Sequence, residues 1–387
     1  MRGLGRDFNF LLAARAVSVI GDEAALIALL FKVKGDGAWA TAALMAGMSG
    51  AMILSSSWVG KLVDRNSVKK ILITTSALQS LVCFALLTVN THGAIALNLL
   101  LGLGQTIVMS STGAWVPTLV KQEDLGKAYG QMQIAYSFAA LAGYGIGGLL
   151  VGKVGINAAL TLDAISFLAL IPMLVIMKTD RIGTPEVNHE GKMKGGFTIV
   201  RHSPTLRAIT ITLASFVTAL MIFSPLEVFL TTDILGAGAT GYGVINMIWA
   251  GSMAVGTMII TKIMKPEWGY AKPALILCAV AGICMIAIGY APNLIFLGAI
   301  LGFTGIIVSG FNIFIGPLIT LNSNESELGR VNATIGAVNS AGSAIGMGIG
   351  GLLGNFLPIR FVIALSGVLA TGTLIFTGKG MLASEKK

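Results

Sequence analysis

The chain has 387 residues, 55% of them apolar and only 11% charged, with a mean hydropathy of +0.85 and a formal net charge of +9. So little charge cannot cover a water-soluble protein of this length, which excludes a soluble globular fold. Apolar stretches of about 20 residues recur from end to end, enough to cross a bilayer core of about 30 Å as helices. The chain therefore reads as an all-α integral membrane protein.

Twelve spans are predicted, near 8–31, 38–60, 70–91, 93–118, 127–151, 157–177, 207–231, 239–263, 272–291, 293–319, 328–354 and 358–378. With the N-terminus placed inside, the cytoplasmic segments carry 21 of the 26 Lys and Arg residues, among them Arg2, Lys386 and Lys387. The opposite side carries only Lys32, Lys34, Lys153 and Arg360. That asymmetry predicts cytoplasmic termini. The basic residues are scattered over short loops without a stacking platform, so nucleic acid is not an expected partner.

The first span follows Arg2 and Arg6, as a signal sequence would, but it is too long and carries internal charge. Arg15, Ser18, Asp22 and Glu23 lie within it, and Arg15 and Asp22, seven apart, project from one helical face. Lipid would reject such a stripe, so it is expected to face a water-filled cavity. The turn between spans two and three reads Gly60-Lys61-Leu62-Val63-Asp64-Arg65-Asn66-Ser67-Val68-Lys69-Lys70. Gly60 would let the second span end close against a neighbour. Asp64 would suit a helix N-terminus, and Arg65 could bridge to Glu123 or Asp124. The plainer reading is ordinary positive-inside loop chemistry.

In span four, Gln105, Met109 and Thr112 share a face at helical spacing. Span five contains Gly143-Tyr144-Gly145-Ile146-Gly147-Gly148. Span six carries Asp163, and span seven carries Glu227. Between them, residues 179–206 form a charged, Gly- and Pro-containing linker that separates a six-span half, 1–178, from a second, 207–387. Ser309 and Asn312 fall on one face of span ten. Carboxylates withdrawn from water take up protons readily, and all four, Asp22, Glu23, Asp163 and Glu227, are expected outside the midplane. They are candidates for proton coupling, with Asp163 also open to a structural hydrogen-bonding reading. Cys83, Cys278 and Cys284 lie within spans and read as small apolar packing groups. His92, His189 and His202 are scattered. No spacing suggests a metal, a cofactor or a catalytic nucleophile–base pair.

Span eleven repeats span five. Gly346-Met347-Gly348-Ile349-Gly350-Gly351 stands 203 positions beyond Gly143–Gly148, and sliding 125–150 onto 328–353 matches 10 of 26 residues. The same offset carries Gly113 onto Gly316 and Gly102 onto Gly305. Such a repeat over an even number of spans predicts two parallel halves related by an axis along the membrane normal.

The turn motif, the twelve spans, the 6+6 repeat and the long central loop together resemble the major facilitator superfamily over the entire chain. Ser67 stands where many members carry glycine. The resemblance implies alternating access, a cavity lined by spans one, four, seven and ten, and a cytoplasmic latch at Gly60, Asp64, Arg65, Lys69 and Lys70. The cavity candidates are Arg15, Ser18, Gln105, Met109, Thr112, Ser309 and Asn312. Gly143–Gly148 resembles a Gly-Pro-x-x-Gly-Gly signature of drug:proton antiporters, but Tyr144 replaces the proline that would kink the helix. Its copy on span eleven favours packing. Gly143, Gly145, Gly147, Gly148, Gly346, Gly348, Gly350 and Gly351 are thus read as a helix seam.

In style the chain resembles the bacterial efflux branch that includes macrolide and siderophore exporters. The resemblance implies a monomeric, multi-pass protein of the bacterial inner membrane that exports amphiphilic small molecules in exchange for protons. Nutrient uptake and a non-transporting role, as a lipid scramblase or sensor, remain open.

Overall fold

The computed structural model describes residues 4–182, 192–324 and 327–383. Arg2, His189, Lys386, Lys387 and linker positions 183–191 lie outside the described residues. Apart from one antiparallel bridge between Ser67 and Ile182, the regular elements among the described residues are helical. The first six are α1 (Arg6–Val33), α2 (Ala38–Arg65), α3 (Val68–Ala85), α4 (Thr91–Leu119), α5 (Leu125–Lys153) and α6 (Ile156–Ile176). There follow α7 (Lys192–His202), α8 (Pro204–Phe223), the short α9 (Glu227–Phe229) with a π turn over Leu230–Ile234, and α10 (Ala239–Ile263). The last four are α11 (Ala271–Gly289), α12 (Leu294–Leu321), α13 (Leu328–Phe356) and α14 (Ile359–Leu382). Among the described residues, nine helices are long and apolar enough to cross a membrane. The long helices α1, α2 and α13, also predicted as spans, fall outside those nine; in α1 the apolar run is broken by Arg15, Asp22 and Glu23.

Two departures from the predicted spans have plain causes. The seventh span, expected unbroken over 207–231, stops at Phe223. Pro225 has no amide hydrogen and its ring opposes the carbonyl four residues back. Leu226 N–H therefore turns to Phe223 O at 2.9 Å, a tighter turn, before helix resumes. Within the predicted linker, Lys192–His202 forms α7, whose Gly196 lies against α13 so closely that a Cβ there would meet the Arg330 backbone.

The described residues form two compact units. Unit 1 comprises Met1–Asp36, Ala43–Val187 and Ala237–Met247; unit 2 comprises Gly37–Ala42, Asn188–Gly236 and Ile248–Lys387. In unit 1, α1 packs against α4, α5 and α6, and α3 packs against α4 and α6. In unit 2, α8 packs against α12, α13 and α14, and α11 packs against α12 and α14. The same pairing occurs twice.

Helix starts sharpen the repeat. α3, α4, α5 and α6 begin at 68, 91, 125 and 156, and α11 to α14 begin at 271, 294, 328 and 359, a constant step of 203. Asn90 and Asn293, also 203 apart, cap α4 and α12 by accepting from Gly93 N–H at 3.0 Å and Phe296 N–H at 2.9 Å. Such caps satisfy amides that the first helical turn leaves open. For α2 and α10 the step falls to 201 (38 to 239), and for α1 and α8 to 198 (6 to 204).

Candidate functional site

α1 owes its position in unit 1 to missing side chains. A Cβ on Gly143 of α5 would stand 2.7 Å from Glu23 Cβ, and one on Gly147 would stand 2.6 Å from Ala24 Cα. Small residues are what allow two apolar helices to approach to this degree. The other face of α5 meets the start of α10: a Cβ on Gly148 would reach Gly243 Cα at 2.9 Å, and one on Gly145 would reach Met247 Sδ at 2.7 Å. Thr240 Oγ1 donates to the Gly148 carbonyl at 3.2 Å.

In unit 2, α13 does likewise. Gly346 lies against Thr218 and Met221 of α8, and Gly350 against Ile222. Gly351 approaches the Ala38 carbonyl of α2, where a Cβ would stand at 3.0 Å. Gly348 is the exception, since a Cβ there meets nothing within 4 Å among the described residues.

Held this way, α1 turns its polar stripe inward. Arg15, 5% exposed, donates to Ser18 Oγ at 3.2 Å. Asp22 accepts from Gln105 Nε2 of α4 at 3.3 Å. Asp163 of α6, 1% exposed, accepts from Cys83 Sγ of α3 at 3.3 Å and from Ser166 Oγ at 3.2 Å. The Tyr144 hydroxyl reaches the Glu23 carboxylate. The residue that breaks the proline signature therefore holds an intramembrane acid.

Asp22, Glu23, Gln79, Asn98, Gln105 and Asp163 line one cavity of about 140 Å³, with Met48 and Phe167 among its apolar walls. Two further glycines open it. A Cβ on Gly21 would stand 2.5 Å from Asp163 Oδ1, and one on Gly104 would stand 2.7 Å from the Gln79 side chain.

Sequence reading found the acids but not their setting. Gln79 and Cys83, four apart on α3, and Asn98 and Gln105, seven apart on α4, each follow helical spacing. That spacing was the available signal. Cys83, expected as plain apolar packing, is a hydrogen-bond donor to Asp163.

The other cavity candidates do not gather here. Met109 is 55% exposed and Asn312 is exposed, whereas Thr112 and Ser309 are buried, the latter bonding back to Ile306 O at 2.8 Å. Glu227 is buried at the start of α9 in unit 2. Larger cavities, of about 450 and 960 Å³, lie in unit 2 around Glu267 and Trp268, away from any comparable group of buried acids.

The α2–α3 turn is fastened differently from expectation. Asp64 pairs with Arg181 at 3.8 Å. Ser67 Oγ donates to Asp180 Oδ2 at 2.5 Å, Val68 N–H to Arg181 O at 2.9 Å, and Lys69 Nζ to the carbonyls of Val175 and Met177 at 2.9 and 2.7 Å. The chain leaving α6 runs beside this turn and supplies the partners. Its next anchor is Asp7, which accepts from Lys178 N–H at 2.9 Å and Thr179 N–H at 2.8 Å. Arg65 and Lys70 are exposed, and Glu123 pairs with Lys121 at 3.8 Å in solvent, leaving Asp124 half-buried in the next turn. The close approach expected at Gly60 is not found among the described residues, since a Cβ there meets nothing within 4 Å.

Comparison with known proteins agrees with this architecture. The family described as Major Facilitator Superfamily matches residues 11–314. Macrolide efflux protein A of Streptococcus pyogenes is 21% identical over 382 residues, covering 94% of this chain and 93% of that protein. A crystal structure of the nucleoside transporter NupG superposes with a TM-score of 0.82 at 11% identity, covering 98% of this chain and 100% of that one. A bacterial homologue of the iron transporter ferroportin superposes with a TM-score of 0.76 at 13% identity, with 99% of each chain covered. At such identities the structural likeness is one of fold alone.

Proposed function

Because the chain belongs to the major facilitator superfamily and is a multi-pass membrane transporter rather than an enzyme, we propose that it exports amphiphilic small molecules in exchange for protons. The observation that carries this reading is the cavity in unit 1 where Asp22 and Asp163 meet inside the helices. Ionisable groups inside a membrane protein are costly and are kept for ion or substrate movement. A carboxylate alternating between charged and neutral forms changes the free energy of the two access states. The proton gradient can thereby drive an otherwise uphill export. Asp22 is the first coupling residue, Asp163 shares its cavity, and Glu227 of unit 2 is the next candidate.

The likeness to macrolide efflux protein A supports an amphiphilic, antibiotic-like substrate and a place in a bacterial cytoplasmic membrane. The test is accumulation of a labelled macrolide in energised cells expressing the protein, with and without an uncoupler. Lower accumulation that the uncoupler abolishes is expected. Equal accumulation with and without the protein, across a panel of amphiphiles, overturns the proposal.

A further inference from the structure

We infer that the cavity between α1, α3, α4 and α6 is also a binding site for a sodium-sized monovalent cation, held by Asp22, Asp163, Gln79 and Gln105. Two of these groups are hydrogen-bonded in a way that leaves them unfinished. Gln105 spends its amide nitrogen on Asp22, and its Oε1 is buried without a hydrogen-bond partner among the described residues. Gln79, 4% exposed, likewise has a buried Oε1 without a partner. Leaving a buried polar atom unpaired costs about 1–3 kcal/mol. Here the two amides line the same cavity as the carboxylates of Asp22 and Asp163. Oxygen acceptors converge on one small space, and a cation satisfies all of them together.

The donors select the kind of ion. Carboxylate and amide oxygens, without imidazole or thiolate, suit hard cations rather than transition metals. Cys83 is committed to Asp163 as a donor, and no group of three His, Cys, Asp or Glu side chains that could hold a metal occurs among the described residues. Charge favours a single positive unit: Asp22 and Asp163 bring two negative charges and Arg15 on the same helix face offsets one, so one monovalent cation balances the site with Glu23, the third carboxylate of the cavity, protonated. A volume of about 140 Å³ leaves room for the ion and a few waters at about 30 Å³ each. Gly21 and Gly104 are the structural provision for this arrangement, since a Cβ on either would push Asp163 or Gln79 aside.

The inference rests on reading this cluster as the coupling centre. Sodium and protons would compete for the same carboxylates. Binding is measured without transport, so a negative result leaves proton-driven export standing, and failed export leaves the binding result intact. The purified full chain in detergent is melted at alkaline pH while choline chloride is replaced by sodium chloride at constant ionic strength.

A saturable rise in melting temperature of about 2–4 °C is expected, smaller with potassium and lost on acidification. Asp163→Asn should abolish it, and Gln79→Leu should raise the half-saturating sodium concentration about tenfold. Ser366→Ala, at the matching position of unit 2, should leave it unchanged. Radiolabelled sodium retained by the unmodified protein, and displaced by acid, gives the same answer if a variant fails to fold. Equal melting in all salts, an equal rise with potassium, a rise with calcium alone, or an undiminished sodium response in well-folded Asp163→Asn overturns the assignment.

Discussion

Unit 1 and unit 2 pack the same helices in the same pairs, yet the cavity lined by acids and amides lies in unit 1. Matching positions through the helix starts makes the difference explicit. Asp22 and Gly21 of α1 fall on Leu220 and Ala219 of α8, at a step of 198. At a step of 203, Gln79 and Cys83 fall on Gly282 and Ile286, Asn98 and Gln105 on Leu301 and Val308, and Asp163 on Ser366. Where α3 meets α6 through Cys83 and Asp163, α11 meets α14 at a pair of glycines, Gly282 and Gly367. A Cβ on Gly282 would stand 2.9 Å from Gly367 O, and one on Gly367 would stand 2.9 Å from Ile286 N. Ser366 only bonds back to Ile363 O at 2.7 Å. The repeat thus preserves where helices touch and leaves the chemistry of the interior free to differ. The cluster on which the proposed function rests therefore lies in unit 1.

The largest expected effect comes from erasing that asymmetry. Asp22→Asn should abolish uncoupler-sensitive efflux while the protein still reaches the membrane at normal levels; Ser366→Ala should leave efflux intact. If both variants transport equally, the division of labour between the units is wrong. Next come the helix seams. Gly147→Val and Gly350→Val force side chains into α1 and α8 backbone, and overpacking of this kind costs about 1–3 kcal/mol. Both should lower the melting temperature in detergent by comparable amounts, because the two contacts are equivalent.

Gly104→Ala sharpens the comparison further. It should cost less stability, since its Cβ meets the flexible Gln79 side chain, yet it should weaken coupling by displacing that amide. Gly348→Ala, with open space at its Cβ, should be neutral or slightly stabilising, by up to about 1 kcal/mol of helix propensity. The smallest effect belongs to Arg181→Ala. Its half-exposed pair with Asp64 is worth about 1 kcal/mol or less, so only a slight fall in melting temperature is expected.

Composition and the 203-residue echo were enough to read an all-helical membrane protein with a repeated unit, because apolar length and small-residue spacing are local properties. Span positions were legible for the same reason, and α5 and α13 fall where their glycine motifs lie. The acids of α1 and α6 were legible too, as charges that lipid would reject. The break after Phe223 was not. Apolar residues resume at Leu226, Val228, Phe229 and Leu230 just beyond Ser224 and Pro225, and one proline does not reveal whether a helix kinks or stops.

The partners of the acids were also hidden. Asp22 pairs with a residue 83 positions away and Asp163 with one 80 positions away, and no local pattern encodes such distances. The turn motif shows the same limit: Asp64 and Arg65 were plain in the sequence, but which cation or carboxylate faces them depends on where the chain leaving α6 runs.

The sequence by itself determined that this is a membrane-spanning protein built on a repeat, because bilayer solvation acts on each segment separately. Only the tertiary structure decided that the repeat slips by five residues in its first helix, since helix ends depend on caps and breaks. Only it gathered Asp22, Gln79, Gln105 and Asp163 from four helices around one cavity. That convergence arises from close approach at Gly21, Gly104, Gly143 and Gly147, where the absence of a side chain has meaning only once the neighbouring helix is known.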